Sequence, residues 1–314
     1  MKAFAVEELG RPGAVRDLPV PEPGEGQVRI RIAAAGLNAF DNAVLQGYVK
    51  DHMEHRFPLV PGMDASGTVE ALGEGVDGWA VGDEVFGSVG KMHLGEGTLA
   101  EFATMSTGTI ARKPVSVEHA VAAAIPVAGV TALLMADALQ LAEGHVVVAI
   151  GATGGVGSYL VQIAGGRGAR VVAVCSAANA DYARTLGAAD VIDYAAGDVV
   201  EAIRSLHPDG IDAIADMHGD KEVIARLAEL VRPGGHVASA VGSADVEGLQ
   251  GRGIGATNVM GNVATAPLEQ LAGMLDRGEI AAPELHTFPL DDAAKAFEAV
   301  GSGHTRGKIV VLPD

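Results

Sequence analysis

Residues 150–158 read Ile-Gly-Ala-Thr-Gly-Gly-Val-Gly-Ser, and this stretch decides the fold. Gly151, Gly154 and Gly157 lie three positions apart, directly after an apolar run and at the start of a helical pattern. Ala152 stands where the dinucleotide fingerprint G-x-G-x-x-G has its second glycine, so the pattern here is G-x-x-G-x-x-G. A glycine-rich turn between a parallel strand and a helix predicts a site where backbone N–H groups bind a pyrophosphate.

The glycines of this turn have different expected roles. Gly154 and Gly155 carry no Cβ, so backbone N–H groups can approach a phosphate. Gly157 lets the helix pack closely against the strand. A tight turn that binds no ligand is the alternative interpretation, but the strand–turn–helix context favours a ligand site. The predicted cofactor contacts within the turn are Gly151, Gly154, Gly155, Val156 and Gly157.

Strands and helices alternate from about residue 145 onward. Apolar runs predict strands at residues 145–150, 170–175, 190–194, 211–217 and 235–241. Helical patterns lie between them, at residues 155–165, 180–186, 198–206 and 221–231. This alternation predicts the α/β class, with a Rossmann-type, doubly wound parallel sheet.

The first part of the chain has a different pattern. Up to about residue 112, short apolar stretches lie between glycine and proline turns, for example at residues 28–32, 67–71 and 83–87. They predict a β-rich domain with the form of a partly open barrel. A helix at residues 290–300 and a strand at residues 308–312 are expected to complete this domain.

The predicted domains are a discontinuous β-rich domain, residues 1–115 and 281–314, and a dinucleotide-binding domain, residues 116–280. An uncharged run at residues 120–136 lies near their junction. Pro126 and Gly129 interrupt this run, and it falls short of the ~20 apolar residues that a membrane span needs. We therefore predict a buried helix there.

Composition narrows the choice of partners. The chain has 314 residues, of which 48% are hydrophobic and only 4% aromatic, so its core must consist mainly of aliphatic side chains. A net charge of -18 disfavours nucleic acid and anionic membranes as partners. Cys175 is the only cysteine, which fits a reducing compartment. The N-terminus lacks the long apolar segment of a secretory signal, and we expect a cytoplasmic protein.

The residues after the second parallel strand bear on which dinucleotide binds. NAD sites usually carry an acidic residue there for the ribose hydroxyls, but the first carboxylate is Asp181. Ser176 and Asn179 can donate hydrogen bonds to a 2′-phosphate, although this loop contains no Lys or Arg. These features favour NADPH as the cofactor. Tyr194, at the end of the third strand, is expected near the adenosine phosphates.

Several further motifs follow one another along the whole chain. They are residues 34–41 (AAGLNAFD), 58–67 (PLVPGMDASG), 81–87 (VGDEVFG), 97–102 (GTLAEF), 128–132 (AGVTA), 186–194 (LGAADVIDY) and 303–308 (GHTRGK). With the glycine turn, they make the chain resemble the medium-chain dehydrogenase/reductase superfamily, in particular its zinc-free quinone oxidoreductase (zeta-crystallin-like) branch. The resemblance implies a GroES-like catalytic domain, a Rossmann cofactor domain and a cleft between them.

The resemblance also implies which residues surround the cofactor. They are Asn38, Thr131, Ser176, Tyr194, Gly242 and Lys308; with Val241, Asn179 and the glycine turn, they form the predicted cofactor site. Two positions depart from the pattern of many relatives. Ala43 replaces a tyrosine, and the loop with Ala178 and Asn179 lacks a basic residue.

The residues that bind zinc in zinc-dependent relatives are replaced here. Asn38 occupies the position of a cysteine ligand, and the motif Gly-His-Glu reads Gly62-Met63-Asp64. Met and Asn are poor ligands for a tetrahedral zinc site, so we predict neither catalytic nor structural zinc. His52 and His55 are spaced as two metal ligands could be, but a solvated loop is the favoured interpretation.

Without zinc, no Lewis acid polarises an alcohol or aldehyde, so the expected reaction is hydride transfer to a quinone or an α,β-unsaturated carbonyl. Asn38 is the first candidate donor to the developing oxyanion, and support of the cofactor ribose is its alternative role. Tyr48 is the second candidate, and a half-buried aromatic at the rim is its alternative. Asp64 either supports such a donor or caps a turn. Water can supply the final proton.

Other interpretations remain open. One is a zinc-type alcohol dehydrogenase; another is a non-catalytic NADPH-binding structural or regulatory protein, which the loss of tyrosine at position 43 keeps open. Residues 258–260 are expected to form an edge strand through which a homodimer assembles. Four apolar residues either line the substrate site or belong to the core: Leu133, Met135, Val259 and Met260.

Overall fold

The computed structural model describes residues 1–91 and 93–313, which form two compact units. The first unit comprises residues 1–130, 263–278 and 282 to the last described residue, and the second comprises residues 131–262 and 279–281. The chain thus leaves the first unit, forms the second, and returns. The domain bounds that the sequence suggested, with limits at residues 115 and 281, remain a prediction.

The strands are given in chain order. They are β1 (Lys2–Ala5), β2 (Ala14–Asp17), β3 (Gln27–Leu37), β4 (Glu54–Val60), β5 (Asp64–Leu72), β6 (Glu84–Ser88), β7 (His93–Glu96), β8 (Phe102–Ser106), β9 (Ile110–Arg112), β10 (Val146–Ile150), β11 (Arg170–Cys175), β12 (Asp190–Asp193), β13 (Ile211–Asp216), β14 (Val231–Ser239), β15 (Gly255–Asn258), β16 (Leu285–Pro289) and β17 (Lys308–Leu312).

The α-helices follow the same order. They are α1 (Ala39–Leu45), α2 (His119–Ala123), α3 (Pro126–Ala138), α4 (Gly155–Gly166), α5 (Ala180–Thr185), α6 (Val199–Leu206), α7 (Lys221–Ala228), α8 (Val246–Gly251), α9 (Thr265–Asp276) and α10 (Ala293–Gly301). Within the described residues, no helix is both long and apolar enough to cross a membrane.

The second unit is built on a six-stranded parallel sheet in the order β12-β11-β10-β13-β14-β15. This order is that of the doubly wound dinucleotide-binding fold, and it confirms the α/β class predicted from sequence. All five residues of β10, Val-Val-Val-Ala-Ile, are buried, because a parallel sheet is covered on both faces. Strand order reverses at β10, whose carboxyl end leads into the glycine turn.

The first unit contains a seven-stranded sheet whose main path is β16-β17-β3-β5-β6-β9, and β8 also pairs with β3. β3 is the longest strand and pairs with β5, β8 and β17. It is also longer than the alternation at residues 28–32 had indicated. β17 pairs in parallel with β16 and antiparallel with β3, so the last strand completes this sheet.

Some predicted elements differ from the structure. The single helix expected at residues 120–136 is two helices, α2 and α3, because α3 begins at Pro126 and proline disfavours helical backbone in the residue before it. The helix expected at 290–300 begins with a 3₁₀ turn, Leu290–Asp292, and continues as α10. α7 ends three residues earlier than predicted, and β14 begins and ends earlier.

The predicted edge strand at residues 258–260 is also displaced. β15, Gly255–Asn258, is the edge strand and pairs with β14. Its sequence, Gly-Ala-Thr-Asn, is half-buried to exposed and lacks the apolar signal of a core strand. Val259, Leu133 and Met135 are buried, whereas Met260 is 75% exposed.

Candidate functional site

The glycine turn of the second unit joins β10 to α4. Gly151 has φ +78°, a backbone conformation that residues with a Cβ rarely adopt. A Cβ on Gly157 would lie 2.3 Å from the carbonyl oxygen of Gly151, so only glycine fits there. This contact is with the turn that precedes α4, so Gly157 allows the helix to begin close against that turn. These two glycines are required by the protein's own structure.

Gly154, by contrast, is not required by the backbone conformation or by the packing of the turn. Its φ is -79°, which any residue can adopt, and a Cβ there would meet only the Gly151 oxygen, at 3.5 Å. Among the residues that the structure describes, no side chain caps the first turn of α4 at Gly154, and the adjoining Gly155 and Val156 are half-buried. The first N–H groups of a helix have no partner within it. The turn therefore combines unused donors with a bare backbone, which fits the binding of a pyrophosphate.

The residues predicted to contact the adenosine half follow β11 and β12. Ser176 is half-buried just after β11. Asn179 donates from Nδ2 to Thr153 Oγ1 at 3.2 Å, so its amide joins this loop to the glycine turn. Tyr194 follows β12 and is exposed. These positions lie at the carboxyl ends of the parallel strands, which is where ligands of such sheets bind.

The remaining cofactor candidates of the second unit lie elsewhere in it. Val241 and Gly242 form an exposed loop after β14, and Gly242 has φ +77°. Thr131 is buried within α3.

The first unit contains a polar cluster that we call the acid–lysine cluster; it consists of the buried Asp41, Asp64 and Lys308 and the half-buried Asn38. Asn38 Nδ2 donates to Asp64 Oδ2 at 2.9 Å, and the Lys308 ammonium donates to Asn38 Oδ1 at 2.6 Å. Lys308 also donates to the Leu37 carbonyl at 2.7 Å. The Asn38 amide is thus fixed from both sides. Within the described residues, only one of its two N–H groups finds an acceptor.

Asp64 and Asp41 are the two carboxyl groups of this cluster, and burial raises the pKa of each. Asp64 Oδ2 also accepts the Val127 backbone N–H at 3.0 Å, and Asp41 Oδ2 accepts the Asn38 backbone N–H at 2.8 Å. Burial and, to a smaller extent, the nearby charge of Asp64 together raise the pKa of Asp41 to about 7. Burial also raises the pKa of Asp64 to about 6, against the opposing effect of Lys308. Burial lowers the pKa of Lys308.

Sequence reasoning missed Asp41. Its signal was its position three residues after Asn38, where an acid commonly bonds back to the first backbone N–H of a helix, here α1. Lys308 had been predicted from the resemblance as a cofactor contact, and the structure places its ammonium inside the acid–lysine cluster.

Tyr48 is placed differently from the prediction. Its side chain was expected to be a catalytic donor or a half-buried aromatic at a rim, but it is 76% exposed. It lies in the turn that follows α1, where its ring has little packing.

A pocket of about 70 Å³ lies within the first unit. Its apolar wall includes Phe40, Val44, Leu59, Met63, Val89 and Leu94, and Asp41 also lines it. Lys91, His93 and Glu96 contribute polar groups, with the Lys91 ammonium paired to Glu96 and His93 Nε2 3.2 Å from Glu96 Oε1. Pockets of small-molecule sites have this composition, mostly apolar with a few polar groups.

The donors in the first unit do not fit zinc. Asn38, at the position of a zinc-binding cysteine, is already bonded to a carboxylate and to an ammonium. His55 Nδ1 is 2.8 Å from the Met53 carbonyl oxygen. Across residues 1–91 and 93–313, no three His, Cys, Asp or Glu side chains are grouped so that they could hold a metal ion. Metal analysis of the purified protein tests the prediction that it binds no zinc.

Comparisons with known proteins agree with this architecture. Residues 24–124 match a family described as alcohol dehydrogenase GroES-like domain, and residues 186–311 match one described as zinc-binding dehydrogenase. The chain is 30% identical to an NADPH-dependent alkenal/one oxidoreductase, chloroplastic, of Arabidopsis thaliana, over 100% of this chain and 80% of the relative.

Two further similarities concern quinone oxidoreductases. A chloroplast envelope quinone oxidoreductase homolog of Arabidopsis thaliana is 37% identical, but the match spans 56% of this chain and only about half, 55%, of that relative. The solved structure of the quinone oxidoreductase from Coxiella burnetii has a TM-score of 0.89 and 27% identity, covering 100% of this chain and 99% of that one. The chain therefore belongs to the medium-chain dehydrogenase/reductase superfamily, as a quinone oxidoreductase-like member.

Proposed function

We propose that the protein is an NADPH-dependent, zinc-independent oxidoreductase that reduces a quinone or an α,β-unsaturated carbonyl compound. The observation that carries the proposal is the turn at Gly154. There, backbone N–H groups at the start of α4 are available to a phosphate. The surrounding structure has room for a side chain at position 154, yet the residue is glycine, which leaves that space to a ligand. The names of the relatives support a nicotinamide cofactor and a substrate of this class.

The residues that would hold the cofactor lie on the second unit. Gly154, Gly155 and Val156 would bind the pyrophosphate, and Ser176 would donate to the 2′-phosphate. The exposed Val241–Gly242 loop would contact the other half of the dinucleotide. When bound, a reduced nicotinamide supplies a hydride to an electron-poor carbon.

The first unit would supply the polar groups for the substrate. Reduction of an enone or quinone places negative charge on an oxygen, and a fixed hydrogen-bond donor stabilises that charge. Asn38 fits this role because Asp64 and Lys308 hold its amide while one N–H remains available. The neighbouring apolar pocket would exclude water from a small unsaturated carbonyl compound.

The choice of substrate follows from the donors in the first unit. A simple alcohol or aldehyde needs activation at oxygen, which a zinc ion provides in zinc-type enzymes. The acid–lysine cluster offers hydrogen bonds and no suitable set of metal ligands. An enone or quinone is already electron-poor and needs only a donor at oxygen.

A substrate screen with metal analysis tests the proposal. Oxidation of NADPH and of NADH would be measured with quinones, enones, enals and simple aldehydes, and zinc would be quantified in the same sample. The proposal expects turnover with quinones or enones, a preference for NADPH, and less than stoichiometric zinc. Stoichiometric zinc with alcohol oxidation would replace it with the zinc-type alternative.

A non-catalytic NADPH-binding protein is the second candidate function, and the exposure of Tyr48 and the presence of Ala43 favour it. Neither position offers a buried phenol as a proton donor. This alternative expects tight NADPH binding without oxidation in the presence of any quinone or enone. The same screen, combined with a binding titration, therefore separates the two.

A homodimer that assembles through β15 completes the proposal. β15 is an edge strand of the parallel sheet, and Met260, just beyond it, is largely exposed. Light scattering of the purified protein would measure the mass in solution, and a monomer at micromolar concentration would exclude this assembly.

A further inference from the structure

Asp216 is the last residue of β13 and is fully buried, with 0% exposure. Its Oδ1 accepts two backbone hydrogen bonds, from the N–H of His218 at 2.9 Å and from that of Gly219 at 3.0 Å. These bonds fix the loop of residues 217–219, through which the chain leaves the sheet.

The other carboxylate oxygen fixes a second loop. Asp216 Oδ2 accepts the Ser239 hydroxyl at 2.9 Å and also the Ser243 hydroxyl. Ser239 Oγ in turn accepts the backbone N–H groups of Val241 and Ser243, each at 3.1 Å. The loop of residues 240–243, which follows β14, is thereby tied to the same buried carboxylate.

The two loops also contact each other and the glycine turn. A Cβ on Gly219 would lie 3.2 Å from Val241 Cγ2. Met217 donates its backbone N–H to the Ile150 carbonyl at 3.1 Å, and a Cβ on Gly151 would lie 3.5 Å from Met217 Cβ. The loops thus adjoin the predicted phosphate site on its β13–β14 side.

The strand order assigns these loops to one half of a dinucleotide. A doubly wound sheet consists of two mononucleotide-binding halves that meet where the strand order reverses. The half that carries the ribose-recognition residue after its second strand is β10–β12, which would bind the adenosine portion. The half formed by β13–β15 would then bind the nicotinamide mononucleotide portion. Val241 is 52% exposed, so this loop can meet a ligand.

We propose that Asp216 is a positioning residue that holds the two loops in the shape required by the nicotinamide mononucleotide half of the cofactor. The inference rests on the proposed function, and it adds a residue that would touch neither substrate nor cofactor. A loop that is already ordered loses less conformational entropy when it binds. Without the carboxylate, the dinucleotide would have to order both loops itself.

Binding of whole and partial ligands tests this role. Dissociation constants of NADPH and of adenosine 2′,5′-bisphosphate would be measured by calorimetry for the wild type, Asp216→Asn and Ser243→Ala. Asp220→Asn is the matched control, because Asp220 directly follows the loop of residues 217–219 but caps α7 with its side chain. Amide hydrogen exchange of residues 217–219 and 241–243 would be followed in the unliganded proteins.

The expected result is selective. Asp216→Asn should weaken NADPH binding by about tenfold or more, while the bisphosphate constant stays within about twofold of the wild-type value. Ser243→Ala should show a smaller change in the same direction, both loops should exchange faster, and the control should match the wild type.

Three outcomes would overturn the inference. Equal weakening of both ligands would assign Asp216 a general structural role, and unchanged NADPH binding in both variants would remove its positioning role. Either result leaves the proposed function standing. A wild-type protein that binds neither ligand would overturn the proposed function together with this inference.

Discussion

The Lys308 ammonium donates a 2.6 Å hydrogen bond to Oδ1 of Asn38, a residue 270 positions earlier in the chain. Asn38→Ala would remove this acceptor and the donor to Asp64, leaving two buried charged groups with fewer partners. We expect a loss of about 1–3 kcal/mol in the free energy of unfolding and a clear fall in kcat. Urea unfolding and steady-state kinetics would measure both.

Asn42→Ala is the control for that variant, because Asn42 lies on the same helix, α1, outside the acid–lysine cluster. It should retain kcat. A kcat for Asn38→Ala that equals the wild-type value would show that this amide has no part in the reaction.

The two buried carboxyl groups predict how stability changes with pH. The pKa of Asp41 is raised from an ordinary 3.8 to about 7, and that of Asp64 to about 6, in the presence of Lys308. A raised pKa means that the folded protein holds a proton which the unfolded chain has released. The contribution of these two protonated carboxyl groups to the free energy of unfolding is therefore fully present below about pH 4. It is lost as the pH rises through 6 to 7.

Asp41→Asn keeps an acceptor for the Asn38 N–H but cannot ionise. Between pH 5 and pH 8, its stability should therefore fall less than that of the wild type, with a difference on the order of 1–2 kcal/mol. Thermal unfolding at several pH values would measure this difference. Asp181→Asn, which removes an exposed carboxyl, is the control, and parallel curves for Asp41→Asn and wild type would contradict the prediction.

Gly154→Val tests the phosphate site without disturbing the fold. The valine side chain would project where only the Gly151 oxygen is near, at 3.5 Å, and would occupy space that a phosphate needs. We expect NADPH binding to weaken by about 100-fold or more, which is ~2.7 kcal/mol, with little change in Tm. Gly165→Val is the control, since a Cβ there meets nothing within 4 Å. NADPH binding that survives in Gly154→Val would exclude this turn as the phosphate site.

Gly157→Ala, unlike Gly154→Val, should lower the stability of the fold. Its Cβ would lie 2.3 Å from the Gly151 oxygen and 2.6 Å from the Ala152 carbonyl carbon, so the turn or helix α4 must shift. Overpacking of this kind destabilises by about 1–3 kcal/mol. Chemical denaturation would measure the loss, and an unchanged midpoint would mean that the backbone adjusts without cost.

Ser176→Asp tests the preference for NADPH. A carboxylate just after β11 would repel a 2′-phosphate and could accept hydrogen bonds from ribose hydroxyls instead. We expect the ratio of kcat/KM for NADPH over NADH to fall by about tenfold or more. Ser176→Ala provides the comparison without a charge. An unchanged ratio would place the 2′-phosphate elsewhere.

The sequence was most informative where apolar residues repeat. The buried run of β10 and the alternation after it specify a parallel sheet, because a strand covered on both faces must be apolar throughout. β15 lies earlier than the predicted edge strand, because its residues are small or polar and give no apolar signal. The break before α3 was missed because the uncharged residues on both sides of Pro126 were interpreted as one helix.

The candidate site was less predictable for a physical reason. The glycines of the turn can be recognised in the sequence by their spacing, but Asp41 and Asp216 are single buried acids with no periodic pattern. Their roles depend on partners that only the fold brings close, such as Ser239 for Asp216. Tyr48 shows the converse, since an aromatic residue predicted from sequence as a candidate donor lies exposed on a turn.

The place of β17 within its sheet has a consequence for biosynthesis. Because β17 pairs with both β16 and β3, the sheet of the first unit cannot be completed until residues 308–312 have left the ribosome. The second unit is encoded between the parts of the first, so its strands are translated before that sheet is complete. Lys308, the cation of the acid–lysine cluster, is translated after Asp41 and Asp64. A nascent chain therefore holds both acids before their cation is present.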